Sequence, residues 1–308
     1  MESTRDTRMP PRKKPVLYTF PAPADSNILV GHNDVMQHFI DAWQNRDQYP
    51  VHPVWMLAGP RGIGKATMAY KIARMVYGNV GDFFVIDSAH NIDKDGNPKP
   101  DMKSISVYTV RNIIDKMQMS SMSGEWRVVL IDSVDELTTN AANAILKLLE
   151  EPPAKVLFLV VAHQLANTLP TIRSRARVEK MRPLTIDQMR QLCAHFIPDE
   201  QISTETLKLA NGSFGKIAAL KSTGGDAIYE DLIETLENPQ SNSVDFMTIA
   251  RRLAADTALY GILLDVIAHF GLADMYSDAT RTINSIRDVN LEPETALFKI
   301  ILDIKKCL

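Results

Sequence analysis

Val54-Trp55-Met56-Leu57-Ala58 is a short apolar run that passes directly into Gly59-Pro60-Arg61-Gly62-Ile63-Gly64-Lys65, and Met68, Ile72, Met75 and Val76 then recur at helical spacing. Buried run, glycine loop ending in lysine, and amphipathic segment together predict a strand, a loop and a helix. In that arrangement the glycines let backbone N–H groups turn toward phosphate oxygens, and the lysine adds a positive charge beside them. The candidate phosphate-binding residues are therefore Gly59, Pro60, Arg61, Gly62, Ile63, Gly64, Lys65, Ala66 and Thr67. Ala66 stands where the pattern carries a serine or threonine hydroxyl for Mg²⁺. The chain thus has the parts of a phosphate cradle and lacks one that hydrolysis uses.

At 308 residues the chain exceeds what one hydrophobic core usually spans, and about two domains, or three units, are expected. Its apolar fraction of 45% and charged fraction of 23% are those of an ordinary globular protein, with no apolar run near the roughly 20 residues of a membrane span. Residues 1–14 are polar and basic (Arg5, Arg8, Arg12, Lys13, Lys14) and lack a signal-type apolar core, so residues 1–24 are expected to form a disordered basic tail. Cys193 and Cys307 are too few for a disulfide framework or a cysteine zinc site, and a cytoplasmic location is expected. A net charge of −3 gives no global attraction to nucleic acid.

Alternation of elements sets the fold class. Val35, Met36, Phe39, Ile40 and Trp43 mark a helix over residues 32–45; residues 78–103 read as irregular; Ser106 caps a helix to about residue 122. Residues 127–132 form a buried strand, Thr138 caps a helix through Leu149 that Pro152-Pro153 ends, and residues 156–161 form another strand. This is an α/β pattern with a parallel sheet whose ligand site lies at the strands' carboxyl ends. After Pro183 only helices are predicted: 185–196, 203–209 and 215–221, then longer ones broken at Asn238-Pro239, Gly271 and Glu292-Pro293. The expected domains are 25–183 (α/β, nucleotide-binding), 184–224 (a small three-helix lid) and 225–308 (all-helical).

Two further segments bear chemistry. Val128-Val129-Leu130-Ile131-Asp132 ends a strand in an acid placed to organise a metal's water shell. Ser133 follows, where hydrolysing phosphate-loop enzymes commonly have a glutamate, and a serine is no base at neutral pH without help. Asp135 and Glu136 are expected to point elsewhere as the chain turns. In Thr171-Ile172-Arg173-Ser174-Arg175-Ala176-Arg177 the alternating arginines either line one face of an extended piece or form a solvated basic edge. His32, His38, His52 and His163 read as surface or packing residues. Asn143 and Lys147 face a partner or solvent.

The phosphate loop, the helix Asn140-Ala141-Ala142-Asn143-Ala144-Ile145-Leu146-Lys147-Leu148-Leu149-Glu150-Glu151-Pro152-Pro153, and Leu169-Pro170-Thr171-Ile172-Arg173-Ser174-Arg175 together resemble the AAA+ clamp-loader family of bacterial DNA polymerase III, and within it the δ′-type branch. The resemblance covers residues 31–183. It implies an AAA+ domain, a three-helix lid, and a helical collar at 225–308 joining a five-subunit ring. It implies partners of the γ/τ and δ types, with the sliding clamp and primed DNA reached through the complex, and no membrane. Arg175 matches the family's arginine finger, acting in trans on a neighbour's ATP, with Ala176 replacing the cysteine that follows it. Asp132 and the loop match the nucleotide site, for ATP or ADP, with Mg²⁺ only if nucleotide binds.

Departures from the family pattern are Ala66, Ser133, Ala162 where a sensor threonine or serine is usual, and Gly215 where motor subunits have arginine, with Lys216 as a stand-in. The four cysteines that hold zinc in many relatives are missing between residues 78 and 103, so no zinc is expected. Three readings follow: a non-motor, finger-donating subunit with little or no ATPase of its own, an ATP-hydrolysing γ/τ-like motor, and a nucleotide-regulated DNA-binding module. The altered catalytic positions favour the first over the second, and the weak net charge favours it over the third.

Overall fold

The computed structural model describes residues 17–78, 81–100, 102, 104–118, 125–288 and 291–308. The expected tail at 1–16, and the end of the helix expected to reach 122, lie outside the described residues. Described are α1 (Asn33–Gln44), β1 (Val54–Ala58), α2 (Lys65–Tyr77), β2 (Phe83–Asp87), α3 (Val107–Gln118), β3 (Arg127–Asp132), α4 (Thr139–Glu150), β4 (Val156–Ala162), α5 (Pro170–Arg173), β5 (Arg177–Lys180) and α6 (Ile186–Phe196). Then come α7 (Thr204–Leu209), α8 (Phe214–Thr223), α9 (Gly225–Glu237), α10 (Ser243–Ala254), α11 (Gly261–His269), α12 (Ala273–Asp288) and α13 (Pro293–Cys307). Among the described residues no helix is long and apolar enough to cross a membrane.

The chain divides into two compact units. The first holds residues 21–202 and 210–215, built on a parallel five-stranded sheet in the order β2-β3-β4-β1-β5. Every residue of β1 and β4 is buried, as expected of central parallel strands covered on both faces. One face, through Trp55, Leu57, Leu130, Leu159 and Val161, packs against Phe39 of α1 and Met68, Ile72 and Val76 of α2. The other, through Met56, Val129, Ile131, Phe158 and Val160, packs against Val110 of α3 and Ala141, Ile145 and Leu149 of α4. This is the α/β architecture the element alternation predicts.

Two strands were not legible in the sequence. The five-residue β2 lies inside the stretch read as irregular, and its order comes from pairing Phe83–Asp87 with Val128–Asp132. The charged β5 becomes a strand by main-chain pairing with β1, while the Arg177 guanidinium lies 4.3 Å from the centre of the Trp55 ring. The registers place Ala58 opposite Ala162, and Asp87 opposite Asp132, so the chemistry-bearing strand ends share one edge.

Side-chain caps set the helix starts the sequence marks. Ser106 Oγ accepts from Thr109 N–H, Thr138 Oγ1 accepts from Ala141 N–H, and Thr185 with Gln188 forms a reciprocal capping box at α6. The tail expected to be disordered to residue 24 is anchored from Tyr18 onward: Tyr18 N–H donates to Lys221 O at 3.3 Å, and Arg74 donates to Ala24 O.

The second unit holds residues 17–20, 203–209 and 216–308 among those described. Leu232, Phe246, Ile249, Leu253, Leu263, Val266, Leu297, Ile301 and Ile304 form its core, with α10 against α13. Gly271, at φ +69°, ends α11, and Pro293 opens α13, the breaks the sequence marks.

Candidate functional site

The loop after β1 is shaped as its glycines predict. Gly62 (φ +79°) and Gly64 (φ +100°) sit in the left-handed region, and Gly64 is the residue from which α2 starts, so the first free N–H groups of α2 face the loop. Ile63 is buried below, and its carbonyl lies 3.0 Å from His32 Nε2. Above, Ser213 Oγ donates to Arg61 O and Gly215 N–H donates to Gly62 O, both at 2.9 Å.

Lys65 is 3% exposed, with Nζ donating to Gly59 O at 2.6 Å and Pro60 O at 2.5 Å. Burial pulls its pKa down from 10.5 to about 8, against the attraction of Asp132 and Asp135. Asp132 moves the opposite way. Burial, then repulsion from Asp87 and Glu136, raises its carboxyl from 3.8 to about 6, with Lys65 and Arg61 opposing. The structure therefore brings Gly59, Pro60, Arg61, Gly62, Ile63, Gly64, Lys65, Ala66, Thr67 and Asp132 to one edge of the sheet.

Fit differs between phosphate and metal. The free N–H groups of α2, the loop and Lys65 suit phosphate oxygens. Ala66 offers no oxygen to a cation, and among the described residues no three His, Cys, Asp or Glu side chains converge to hold a metal ion. Both cysteines are free, Cys193 buried and Cys307 exposed.

Beyond Asp132 one expectation changes. Ser133 is buried and gives its hydroxyl to Asp135 Oδ2 at 2.9 Å. Asp135 does point away: its carboxylate accepts from the N–H groups of His163 and Gln164 and ties down the end of β4. Glu136, expected to do the same, turns back to the phosphate loop and pairs with Arg61 at 2.5 Å, because the 3₁₀ turn Val134–Glu136 reverses its direction.

His163, read as surface or packing, is part of the site. Burial first, then Lys65 and Arg61, lowers its pKa to about 4, so the ring is neutral at pH 7, and its buried Nδ1 meets no partner among the described residues. The one available signal was its place directly after Ala162, which ends β4 fully buried. His32 also joins the site through Ile63, since the ring's hydrogen bond depends on a loop 31 residues away.

The three arginines do not share an extended face. Arg173 ends α5, Arg175 lies in the turn behind it, and Arg177 opens β5 over Trp55 with Nε 3.0 Å from Glu179. Pro170 at the first turn of α5 favours a helical start, which breaks the alternation an extended chain would give. Arg175 Nη2 meets Glu150 at 2.6 Å, and its Nη1 donates to Thr171 O at 2.9 Å. Lys216, considered as a sensor stand-in, pairs with Asp265 at 2.5 Å inside the helical unit.

Residues 31–185 match the family described as DNA polymerase III, delta subunit. The chain belongs to that family. Among curated relatives it is 24% identical over 278 residues to the DNA polymerase III subunit gamma of Buchnera aphidicola subsp. Schizaphis graminum, covering 82% of this chain and 69% of the relative. It is 32% identical over 148 residues to the subunit delta′ of Yersinia pestis, covering 47% of this chain and 40% of the relative, so the match spans less than half of that protein. A solved gamma-subunit-related protein from Thermotoga maritima is 17% identical with a TM-score of 0.48, over 86% of this chain and 98% of that one. For this DNA polymerase III delta-family chain, the α/β architecture expected from the motifs holds: a phosphate loop on a parallel sheet, followed by a helical region.

Proposed function

We propose that the chain is the δ′-type subunit of a DNA polymerase III clamp loader: it does not turn over ATP itself, and it supplies Arg175 to the ATP site of an adjacent γ/τ-type motor. The observation that carries this is the state of the strand end beyond Asp132. Ser133 is buried with its hydroxyl given to Asp135, Asp135 is spent on the end of β4, and Ala66 brings no metal-binding oxygen. Of the acids beyond Asp132, Asp135 is held by the end of β4 and Glu136 by Arg61, so neither is placed to polarise an attacking water, while the glycine loop and Lys65 are in place. Such a subunit works beside γ/τ and δ subunits, helping to place a sliding clamp on primed DNA. The cradle takes ATP or ADP, with Mg²⁺ accompanying the nucleotide and no zinc.

The gamma relative, matched over 82% of this chain, supports a second reading as an ATP-hydrolysing motor. One experiment separates them. The purified chain is expected to hydrolyse ATP no faster than its Lys65→Ala variant; Lys65-dependent turnover decides for the motor. In a complex reconstituted with motor and δ subunits, clamp and primed DNA, Arg175→Ala is expected to slow the one ATP site it serves, by up to roughly 10³-fold, with assembly intact. An unchanged rate removes the finger assignment.

A further inference from the structure

Arg175 is folded back on its own chain. Its Nη2 lies 2.6 Å from Glu150 Oε1, and its Nη1 donates to Thr171 O at 2.9 Å and Ser174 Oγ at 3.3 Å. Both terminal nitrogens of the guanidinium are engaged within the chain.

The two charges come from separately anchored elements. Glu150 is the last residue of α4, whose Ala141, Ile145 and Leu149 are buried against the sheet. Arg175 leaves α5, a single turn pinned by the buried Ile172. Because the core holds both backbones, the carboxylate and the guanidinium are kept within reach of one another. A guanidinium in this state cannot offer its terminal N–H pair to an outside oxyanion without leaving Glu150.

We infer that Glu150 is a positioning residue for Arg175, holding the guanidinium withdrawn until a stronger anion takes it. The inference rests on the finger reading above and adds to it the group that sets the finger's resting conformation. The pair is weak by design of its surroundings: the two side chains are 33% and 47% exposed, and ion pairs at such sites shift an equilibrium by about 1.4- to 5-fold. The charge that develops on a phosphoryl group in transfer outweighs a single carboxylate, so the guanidinium leaves Glu150 as the transition state forms and not on nucleotide binding.

The test is the steady-state ATPase of the reconstituted complex with wild type, Glu150→Gln, Arg175→Ala and the double variant. Glu150→Gln is expected to raise kcat by about two- to five-fold with the KM for ATP unchanged, and to add nothing in the Arg175→Ala background. A merely structural role for Glu150 would not give that dependence on Arg175. If Arg175→Ala slows the complex but Glu150→Gln leaves kcat unchanged or lowers it, the inference fails and the finger reading stands. Equal effects of Glu150→Gln in both backgrounds also overturn it. If Arg175→Ala itself changes nothing, the finger reading fails and this inference falls with it.

Discussion

Asp132→Asn tests the electrostatics of the phosphate site. Two opposing effects act on the Asp132 carboxylate: burial with repulsion from Asp87 and Glu136, and attraction by Lys65 and Arg61. The first wins, so the folded pKa rises from 3.8 to about 6, which corresponds to about 3 kcal/mol at most, and about 1–3 kcal/mol for a partly buried group after solvent screening. The sign follows from proton binding. Between those two pH values the folded chain keeps a proton that the unfolded chain has released, so stability falls as pH rises through that window and stays lower above it. Asparagine, neutral throughout, escapes the penalty. Lys65 does not blur the comparison, because its own pKa of about 8 keeps it charged from pH 4 to pH 6. Urea unfolding of wild type and Asp132→Asn at several pH values is the assay. The variant is expected to gain about 1–3 kcal/mol over wild type at pH 7 and almost nothing at pH 4. A difference that is flat with pH, or a variant less stable at pH 7, would show that Lys65 and Arg61 dominate and refute the reasoning.

Two other substitutions probe the scaffold. A Cβ at Gly62 would meet Ser213 Oγ at 2.3 Å and Gly215 Cα at 3.0 Å, at φ +79°; Gly62→Ala is expected to cost about 2–4 kcal/mol in urea unfolding, from left-handed strain and lost hydrogen bonds, and a loss below about 0.5 kcal/mol contradicts this. Thr185→Ala removes the capping box of α6 and is expected to cost about 1 kcal/mol by the same assay, while Thr185→Ser stays near wild type.

Much of the first unit was legible because its signals are local. The all-apolar β1 and β4, the glycine loop, the caps at Ser106 and Thr138, the helix starting at Thr185 and, in the second unit, the breaks at Gly271 and Pro293 each announce themselves within a few residues. The misses share a cause. Edge strands β2 and β5 depend on partners 45 or more residues away along the chain, and weak local patterns leave them unannounced. His32, His163 and Glu136 look ordinary in sequence because their partners belong to other segments.

The sequence by itself determined that a phosphate loop sits between a buried strand and a helix, that Ala66 and Ser133 replace a hydroxyl and an acid, and that an arginine follows a Pro-Thr-Ile turn. These are facts of composition and spacing over a handful of residues. Only the tertiary structure decided that Ser133 and Asp135 are committed to each other, that Glu136 closes on Arg61, and that Glu150 holds Arg175. The reason is that a parallel sheet is joined by crossovers, so its strand order and register are set by packing of both faces, and side chains far apart in the chain meet only once that packing is complete.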